Sequence, residues 1–325
     1  MGFRILITGG FGFIGGRLAV HLAQEDHQVV LGSRSDQPRP GWLPEAEVVQ
    51  TFWSDAEALE TICQGVDVVI HAAGMNAADC AADPVAALEF NGVATARLVQ
   101  AAARAGVKRF VYLSTAHVYA NPLIGTITEE TCPRNLHPYA TSHLAGEHAA
   151  VLCASQQGEM QGIVLRLSNA FGAPTHKEVN CWMLLVNDLC RQAVQTRKLV
   201  LQTNGLQQRD FIALTEVCLL VEHLVVRAEL AQSEILNVGS GESQSVLAMA
   251  QLIQKRCLEI YGFEPLLQRK NSGLEAIHPV LKYCTVNMVS LGIRLKHSNS
   301  NHSAEIDKLL RFCQTTFTQS QRVNA

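Results

Sequence analysis

The chain has 325 residues, of which 48% are apolar and 17% are charged, and its formal net charge is −3. This composition is typical of a globular protein that is long enough to form two lobes. Because the sequence has neither a basic excess nor a basic run, nucleic acid and acidic membrane surfaces are excluded as partners.

The ten cysteines are scattered along the chain without a C-x-x-C pair. This spacing favours reduced thiols, and therefore a cytoplasmic location, over a disulfide framework. The N-terminus enters a predicted strand without the features of a signal peptide, and no apolar run has the length of a membrane span. The twelve histidines form no H-E-x-x-H or similar cluster, so we expect no metal site.

Short apolar runs alternate with segments of helical periodicity in the first half of the chain. Predicted strands cover residues 4–8, 28–31, 47–52, 66–71, 109–114 and 162–167, and predicted helices cover residues 14–24, 56–63, 84–105 and 138–156. This alternation predicts an α/β fold with a Rossmann-type doubly wound parallel sheet. Ligands of such sheets bind at the carboxyl ends of the strands.

The second half is less regular. Predicted helices cover residues 179–197, 215–229 and 245–260, predicted strands cover residues 209–212 and 235–238, and residues 297–302 are predicted to form a loop. We expect a dinucleotide-binding Rossmann domain at residues 1–167, with a returning segment near 205–240, and a smaller C-terminal substrate-binding lobe made mainly of residues 168–313. Residues 314–325 are polar and are expected to form a frayed tail.

Residues 9–15, the glycine loop, lie between the first predicted strand and the first predicted helix. Gly9, Gly12 and Gly15 permit a tight turn and a close approach of the backbone to a pyrophosphate. Phe13 and Ile14 open the helix, where free N–H groups and the positive end of the helix dipole favour an anion. The strand–turn–helix context therefore predicts a dinucleotide site.

Two further segments follow predicted strands and should reach the same edge of the sheet. Ala72, Ala73 and Gly74 follow the fourth strand, and Ser114 and Thr115 end the fifth. Because the carboxyl ends of parallel strands share one edge, we expect both segments to lie beside the glycine loop. Ala72 and Ala73 are therefore candidate cofactor contacts.

The end of the second strand bears on the choice of dinucleotide. Ser33 and Arg34 follow the strand where NAD-binding proteins usually have an acidic residue, and an arginine there can accept a 2′-phosphate. NADP is therefore slightly favoured over NAD as the NAD(P) cofactor, with Asp36 as an alternative partner for the ribose. Phe52 ends the third predicted strand and Trp53 follows it, where an aromatic ring can stack on adenine; at least one is expected to fill core space.

Together the motifs resemble the extended short-chain dehydrogenase/reductase branch, the NAD-dependent epimerase/dehydratase family. The resemblance spans most of the chain and is carried by residues 8–15 (TGGFGFIG), 67–73 (DVVIHAA), 91–102, 106–115 (GVKRFVYLST), Tyr119, Tyr139, 166–172 (RLSNAFG), 209–212 (RDFI) and 237–242 (NVGSGE). It implies a nucleotide-sugar substrate and epimerisation, dehydration or ketone reduction at a sugar carbon. The region after about Tyr261 matches poorly.

The resemblance also implies catalytic residues. Thr115 matches the family's hydroxyl residue and Tyr139 its tyrosine, whereas the lysine expected four residues later is His143. A phenol with a pKa of about 10 needs adjacent positive charge to act as a base near neutral pH. We expect His143 to orient the ribose and, when protonated at slightly acidic pH, to lower the pKa of Tyr139.

In the second lobe, Asn169 and Arg209 match family positions that contact the nucleotide part of the substrate, and Asn180 is a weaker candidate. An arginine suits a diphosphate because its planar donors bind two oxygens at once. The alternative for Arg209 is an ion pair with Asp210. The segment after RDFI, residues 213–216 (ALTE), departs from the family pattern.

Two other functions remain open from the sequence, namely a non-catalytic dinucleotide-binding protein and a reductase of a non-sugar carbonyl. The altered Tyr-x-x-x-Lys pattern motivates the first, and Asn169 and Arg209 argue against the second. The mean hydropathy of +0.10 is consistent with a buried subunit interface. The family analogy predicts a homodimer through helices 84–105 and 138–156, which are rich in alanine and leucine.

Overall fold

The computed structural model describes residues 2–156, 160–226, 233–270, 279–292 and 298–318. The chain divides into two compact units. The first comprises Met1–Pro122, Glu129–Leu167 and Cys218–Val238, and the second comprises Leu123–Thr128, Ser168–Val217 and Gly239–Ala325.

The strands lie, in chain order, at β1 (Arg4–Thr8), β2 (Gln28–Ser33), β3 (Glu47–Gln50), β4 (Val68–His71), β5 (Arg109–Thr115), β6 (Gly125–Ile127), β7 (Gln161–Leu167), β8 (Asn169–Phe171), β9 (Lys198–Leu201), β10 (Gln208–Ala213), β11 (Glu234–Val238), β12 (Ser243–Ser245), β13 (Leu266–Arg269) and β14 (Leu281–Tyr283).

The α-helices lie at α1 (Phe13–Gln24), α2 (Ala56–Cys63), α3 (Ala77–Ala82), α4 (Pro84–Ala87), α5 (Thr95–Arg104), α6 (Pro138–Gln156), α7 (Leu185–Thr196), α8 (Leu214–Val226), α9 (Val246–Tyr261), α10 (Val286–Ser290) and α11 (Ser298–Thr318). A π-helical segment, Leu88–Ala94, joins α4 to α5, and a short 3₁₀ turn, Ala116–Val118, follows β5.

The first unit contains a seven-stranded sheet in the order β11-β7-β5-β4-β1-β2-β3. Every neighbouring pair in it is parallel, so the predicted doubly wound parallel sheet is confirmed. All residues of β4 and β5 are buried. This burial on both faces explains why the middle residues of both strands, 68–70 and 110–113, are consecutive apolar or aromatic residues.

The helix predicted at residues 84–105 is interrupted by the π-helical segment. Within it, Asn91 is buried, and its side chain accepts from Met75 N at 2.9 Å and donates to Ser142 Oγ at 3.0 Å. Gly92 packs closely on α6, since a Cβ there would lie 3.2 Å from Ala145 Cβ. Such widened turns occur often at functional sites, and this one faces the helix that carries Tyr139.

In the second unit, β12, β10 and β8 form one small sheet, and β13–β9 and β14–β6 form two strand pairs. Its core contains Leu189 on α7, Ile253 on α9 and Leu309 on α11. The helix predicted at residues 179–197 begins only at Leu185, because turns such as the bond from Cys181 N to Val179 O occupy the preceding backbone.

The prediction of a loop at residues 297–302 is wrong from Ser298 onward, because α11 begins there. Residue 297 lies outside the described residues. The polar side chains at the start of α11 find partners that the sequence pattern does not reveal. Asn301 Nδ2 donates to Glu216 Oε1 at 2.9 Å, and the buried His302 donates from Nε2 to Phe211 O at 3.0 Å. The helix continues to Thr318, so the predicted tail is helical over residues 314–318. The remainder of the tail lies outside the described residues.

No described helix is both long and apolar enough to cross a lipid bilayer.

Candidate active site

The glycine loop is shaped by contacts that exclude side chains. Gly9 has φ 69°, and a Cβ on it would lie 2.8 Å from Ala73 N and 2.9 Å from Ala72 C. A Cβ on Gly15 would lie 2.3 Å from Gly9 O. The loop therefore packs directly on the end of β4, as the sequence predicted.

The loop leads into α1 at Phe13 and Ile14, and the residue before the helix, Gly12, has no side chain to cap it. The first N–H groups of a helix have no partner inside the helix. Together with the helix dipole they suit a pyrophosphate. The loop and α1 thus fit the pyrophosphate of a nicotinamide dinucleotide, with room at Gly12 for the backbone to approach it.

The side chains at the end of β2 are accessible. Ser33 is half-buried, and Arg34 and Asp36 are exposed. Arg34 is anchored through its carbonyl oxygen, which accepts from Gln50 Nε2 at 3.3 Å. Its guanidinium forms no hydrogen bond or ion pair with any residue that the structure describes, so it remains available for a phosphate.

The two aromatic residues after β3 have different environments. Trp53 packs edge-on against Phe90, with ring centroids 5.3 Å apart, and lies 5.7 Å from His71. Phe52 is 51% exposed. Trp53 is therefore the core residue of the pair, and Phe52 is the ring available for stacking.

Thr115 and Tyr139 are brought together by β5 and α6. Thr115 is buried at the end of β5, where its Oγ1 accepts from His117 N at 3.1 Å. Burial raises the pKa of Tyr139 above its usual value of 10, and the Thr115 hydroxyl offsets part of that increase.

His143 lies one turn after Tyr139, and the two rings meet edge to face with centroids 4.5 Å apart. Its Nδ1 lies 3.0 Å from the Tyr112 hydroxyl oxygen. A Cβ on Gly74 would lie 3.6 Å from His143 Cε1 and 3.8 Å from Nε2, so this edge of the ring faces Gly74.

Burial lowers the pKa of His143 to about 4. The ring is therefore neutral across the slightly acidic range in which the sequence predicted a charged imidazole. The physical reason is desolvation, because the side chain is buried and no carboxylate contributes to the shift. What remains available from His143 is a hydrogen bond from a neutral ring.

A buried ion pair, which the sequence analysis did not single out, supports this part of the sheet. Glu147 on α6 and Arg166 on β7 are both buried, and Arg166 Nη2 lies 2.7 Å from Glu147 Oε2. Glu147 also accepts from Ser114, the neighbour of Thr115. A glutamate in a helix without other acidic or strongly basic residues was the sequence signal for it. The pair fixes the ends of β5 and β7 beneath Thr115.

In the second unit, Arg209 is half-buried on β10, and burial lowers the pKa of its guanidinium. The Asp210 carboxylate instead accepts from Ser240 N, Ser240 Oγ and Gly241 N at 2.9, 3.0 and 2.9 Å. Among the described residues Arg209 has no ion-pair partner, so its predicted alternative, a pair with Asp210, is wrong. Burial raises the pKa of Asp210 to about 6.

The two asparagines proposed for substrate binding differ in their surroundings. Asn169 on β8 donates from Nδ2 to Asp210 O at 2.8 Å and thereby ties β8 to β10. Asn180 is exposed in the segment between β8 and α7. No group of three or more metal-ligating side chains occurs within the described part of the chain.

Comparison with known proteins places this geometry in a family. The model of the NAD dependent epimerase/dehydratase family matches residues 5–239. The chain is 30% identical over 256 residues to dTDP-6-deoxy-L-talose 4-dehydrogenase (NAD(P)(+)) of Kitasatospora kifunensis, covering 77% of this chain and 78% of the relative. It is 28% identical over 266 residues to dTDP-D-glucose 4,6-dehydratase of Bos taurus, covering 77% and 72%.

Among solved structures, MoeE5 in complex with UDP-glucose and NAD has the same fold, with a TM-score of 0.75 and 22% identity over 99% of this chain and all of MoeE5. The match of the family model covers the glycine loop, β5 with Thr115, and α6 with Tyr139. The chain therefore belongs to the NAD-dependent epimerase/dehydratase family of enzymes, and it binds NAD(P).

Proposed function

We propose that this protein is an NAD(P)-dependent enzyme that acts on a nucleotide-linked sugar, and that its site favours reduction of a keto group over epimerisation or dehydration. The names of its relatives support the substrate class, since they act on dTDP-linked sugars. The fold neighbour MoeE5 holds UDP-glucose together with NAD.

One observation supports the preferred direction. The Tyr139 phenol has a raised pKa, which the Thr115 hydroxyl only partly offsets, and it meets the edge of an imidazole whose pKa burial lowers to about 4. A protonated phenol is a proton donor. Reduction of a ketone needs such a donor at the carbonyl oxygen, whereas oxidation of a hydroxyl needs the phenolate.

In this scheme the Thr115 hydroxyl holds the substrate oxygen, and Tyr139 donates its proton to that oxygen. The dinucleotide, when bound, supplies the hydride for the carbonyl carbon. The product is a secondary alcohol with one new C–H bond and one new O–H bond. The Tyr139 phenolate then recovers a proton from solvent. His143 Nε2 faces Gly74, next to the alanines on which the glycine loop packs, and is placed to hydrogen-bond the ribose.

Epimerisation and dehydration both begin with oxidation at a sugar carbon, so Tyr139 would first have to lose its proton. A neutral His143 contributes no charge to stabilise the resulting phenolate. Both reactions therefore need the Tyr139 phenolate for their first, oxidative step. The rate of that step should rise with pH, because more of the phenol is ionised at higher pH.

Substrate binding is assigned to Arg209, Asn169 and Asn180. The Arg209 guanidinium is half-buried and has no ion-pair partner among the described residues. A diphosphate would supply the negative charge that neutralises it. Asn169 contributes mainly by fixing the strand that carries Arg209.

NADP is favoured over NAD. The exposed guanidinium of Arg34 at the end of β2 supports this preference, because a 2′-phosphate is the group that distinguishes the two cofactors there.

We also propose a homodimer formed by the helices at residues 84–105 and 138–156. The exposed apolar side chains Val85, Leu88, Val93 and Leu152 on these elements support it. Light scattering coupled to size-exclusion chromatography would measure the mass. A cytoplasmic location is supported by the cysteines whose side chains are described, all of which are free thiols.

The test of function is a turnover screen at pH 7 with matched substrates: a dTDP-linked 4-keto-6-deoxy sugar with NADPH and NADH, and UDP-glucose and dTDP-glucose with the oxidised cofactors. We expect faster reduction of the keto sugar than epimerisation or dehydration of the other two. Faster epimerisation or dehydration would overturn the direction. Cofactor binding without turnover would favour the hypothesis of a non-catalytic dinucleotide-binding protein. Reduction of only non-sugar ketones would favour the hypothesis of a reductase of non-sugar carbonyls.

A further inference from the structure

A buried set of hydrogen bonds surrounds Tyr112 on β5, behind His143. The Thr8 Oγ1 lies 2.6 Å from His71 Nδ1, and His71 Nε2 lies 2.9 Å from Thr95 Oγ1. The Tyr112 hydroxyl oxygen lies 3.0 Å from His143 Nδ1. All five residues are buried, so their donors and acceptors are expected to be paired within this set.

The positions of the protons follow from the acceptors. The Thr95 hydroxyl donates to Asn91 O at 2.7 Å, so its oxygen is left to accept from His71 Nε2–H. His71 then carries no proton on Nδ1 and accepts there from Thr8. Because Thr95 gives its proton to Asn91 O, the Tyr112 hydroxyl receives none from Thr95, and we assign its own proton to His143 Nδ1.

We propose that Tyr112 is a positioning residue, whose hydroxyl donates to His143 Nδ1 and thereby fixes the imidazole as the Nε2–H tautomer. That tautomer presents its one N–H on the edge that faces Gly74. The inference rests on the proposed function in one respect, namely that His143 takes the place of the lysine at the ribose.

The packing around Tyr112 supports this assignment. A Cβ on Gly146 of α6 would lie 2.6 Å from the Tyr112 hydroxyl oxygen, so the tyrosine reaches His143 only because residue 146 is glycine. On its other side the Tyr112 ring is stacked on His71, with centroids 5.5 Å apart and planes inclined by 26°. Burial raises the pKa of Tyr112 well above 10, so the hydroxyl keeps its proton at any working pH.

The direct test is nitrogen NMR of the cofactor-free protein with ¹⁵N-labelled histidine. The His143 signals are identified by their absence from the spectrum of His143→Lys. We expect Nδ1 without a proton and Nε2 with one, and a shifted Nδ1 resonance in Tyr112→Phe. A protonated Nδ1 in the wild type, or an unchanged Nδ1 resonance in Tyr112→Phe, would overturn the proposal.

Tyr119→Phe is the matched control. Tyr119 is equally buried. Its hydroxyl donates to Asn237 Oδ1 at 2.7 Å, and the described part of the structure shows no hydrogen bond between it and His143. It should lose thermal stability much as Tyr112→Phe does and leave the His143 resonances in place. A shift of equal size in both variants would mean that general loosening moves the ring, which also overturns the proposal.

A second measurement, a comparison of single and double variants, separates the effect of Tyr112 on His143 from any general effect of the substitution on the fold. Fluorescence titration gives the Kd for NADPH in wild type, Tyr112→Phe, His143→Lys and the double variant. We expect Tyr112→Phe to weaken binding about fivefold, the effect of one neutral hydrogen bond, and to have less than a twofold effect in the lysine background. Equal effects in both backgrounds would show that Tyr112 does not act through His143.

These readouts separate the two ideas. If His143→Ala leaves the Kd for NADPH unchanged while the NMR result holds, the ribose role fails and the tautomer assignment stands. If His143→Ala weakens binding but Nδ1 carries a proton, the proposed ribose role stands and the role of Tyr112 fails.

Discussion

Tyr139 lies among neutral partners, and this determines its reactivity. Thr115 supplies a hydroxyl, and His143 supplies a ring that is uncharged at neutral pH. A phenol in such surroundings gives up its proton to a developing alkoxide more readily than it removes one from a sugar hydroxyl.

Tyr139→Phe should lower the rate of keto-sugar reduction by about 10²- to 10⁴-fold, the usual contribution of a general acid. The Kd for NADPH should stay within twofold, because the variant keeps the ring that packs on His143. Steady-state rates and fluorescence titration measure the two quantities. Full activity in this variant would remove Tyr139 from the mechanism.

His143→Lys places an ammonium one turn from Tyr139, and positive charge stabilises the phenolate. The rate of the oxidative direction should then rise at lower pH in the variant than in the wild type. Initial rates with NADP and a sugar-nucleotide alcohol between pH 6 and 9.5 give the comparison. Superimposable pH profiles would show that the charge at residue 143 does not reach the phenol.

Arg34→Leu should weaken NADPH binding about tenfold or more, since hydrogen bonds to a charged group are the stronger ones. NADH carries no 2′-phosphate, so its Kd should change less than twofold. Isothermal titration with both cofactors measures the difference. Parallel losses for both would indicate that Arg34 supports the loop and does not read the phosphate.

At the scale of elements, the site depends on close contact between the glycine loop, the end of β4 and α6. The backbone of Gly9 touches the backbone of residues 72 and 73, and Gly15 touches Gly9. The π-helical segment and Gly92 bring α6 close in the same way. The approaches at Gly9 and Gly15 involve backbone atoms, which cannot move aside as a flexible side chain can.

Gly15→Ala should therefore abolish measurable cofactor binding, because its Cβ would lie 2.3 Å from Gly9 O. Gly41→Ala is the matched control, since a Cβ on Gly41 has no neighbour within 4 Å. Titration with NADPH and thermal unfolding of both variants give the comparison. Normal binding by Gly15→Ala would show that the loop relaxes and that its shape is not required.

For the whole molecule, burial of neutral histidines makes stability depend on pH. Burial lowers the pKa of His71 to about 3 and that of His143 to about 4. The unfolded chain protonates both near pH 6.5, so it binds more protons than the folded chain between pH 6.5 and 4. The free energy of unfolding should therefore fall as the pH falls through this window.

His143→Gln should lose less stability than the wild type between pH 6.5 and 4. At about 1.4 kcal/mol per pKa unit, the lowering from 6.5 to about 4 corresponds to roughly 3 kcal/mol. Urea denaturation at several pH values measures it. The raised pKa of Asp210, about 6, acts in the opposite direction in both proteins and cancels in the comparison. Equal pH slopes would show that His143 is not neutral in the fold.

Much of the local architecture could be predicted from the sequence. The parallel sheet, α2 and α6 follow from hydrophobic periodicity and from local stops such as Gly65, and the dinucleotide loop follows from glycines between a strand and a helix. Thr115, Tyr139 and Arg34 were assigned as candidate site residues from local motifs. Such signals succeed because periodicity, turn geometry and helix termini depend on neighbours along the chain.

Features that depend on distant partners were missed. Residues 298–302, predicted to belong to a loop, are helical because Asn301 and His302 bond to Glu216 and to Phe211, far away in the sequence. The π-helical segment likewise depends on Asn91 meeting Ser142. The pairing of Asp210 with Ser240 and Gly241, and not with Arg209, also needed the fold.

By itself, then, the sequence determined the α/β fold and the glycine loop, and it singled out Thr115, Tyr139 and His143 as candidate catalytic residues. Only the tertiary structure decided what that histidine does. Whether an imidazole is charged depends on how much water reaches it, and its free N–H depends on which hydroxyl approaches its other nitrogen. Both are set by Tyr112, Gly146 and the burial of α6 against β5, which no local pattern specifies.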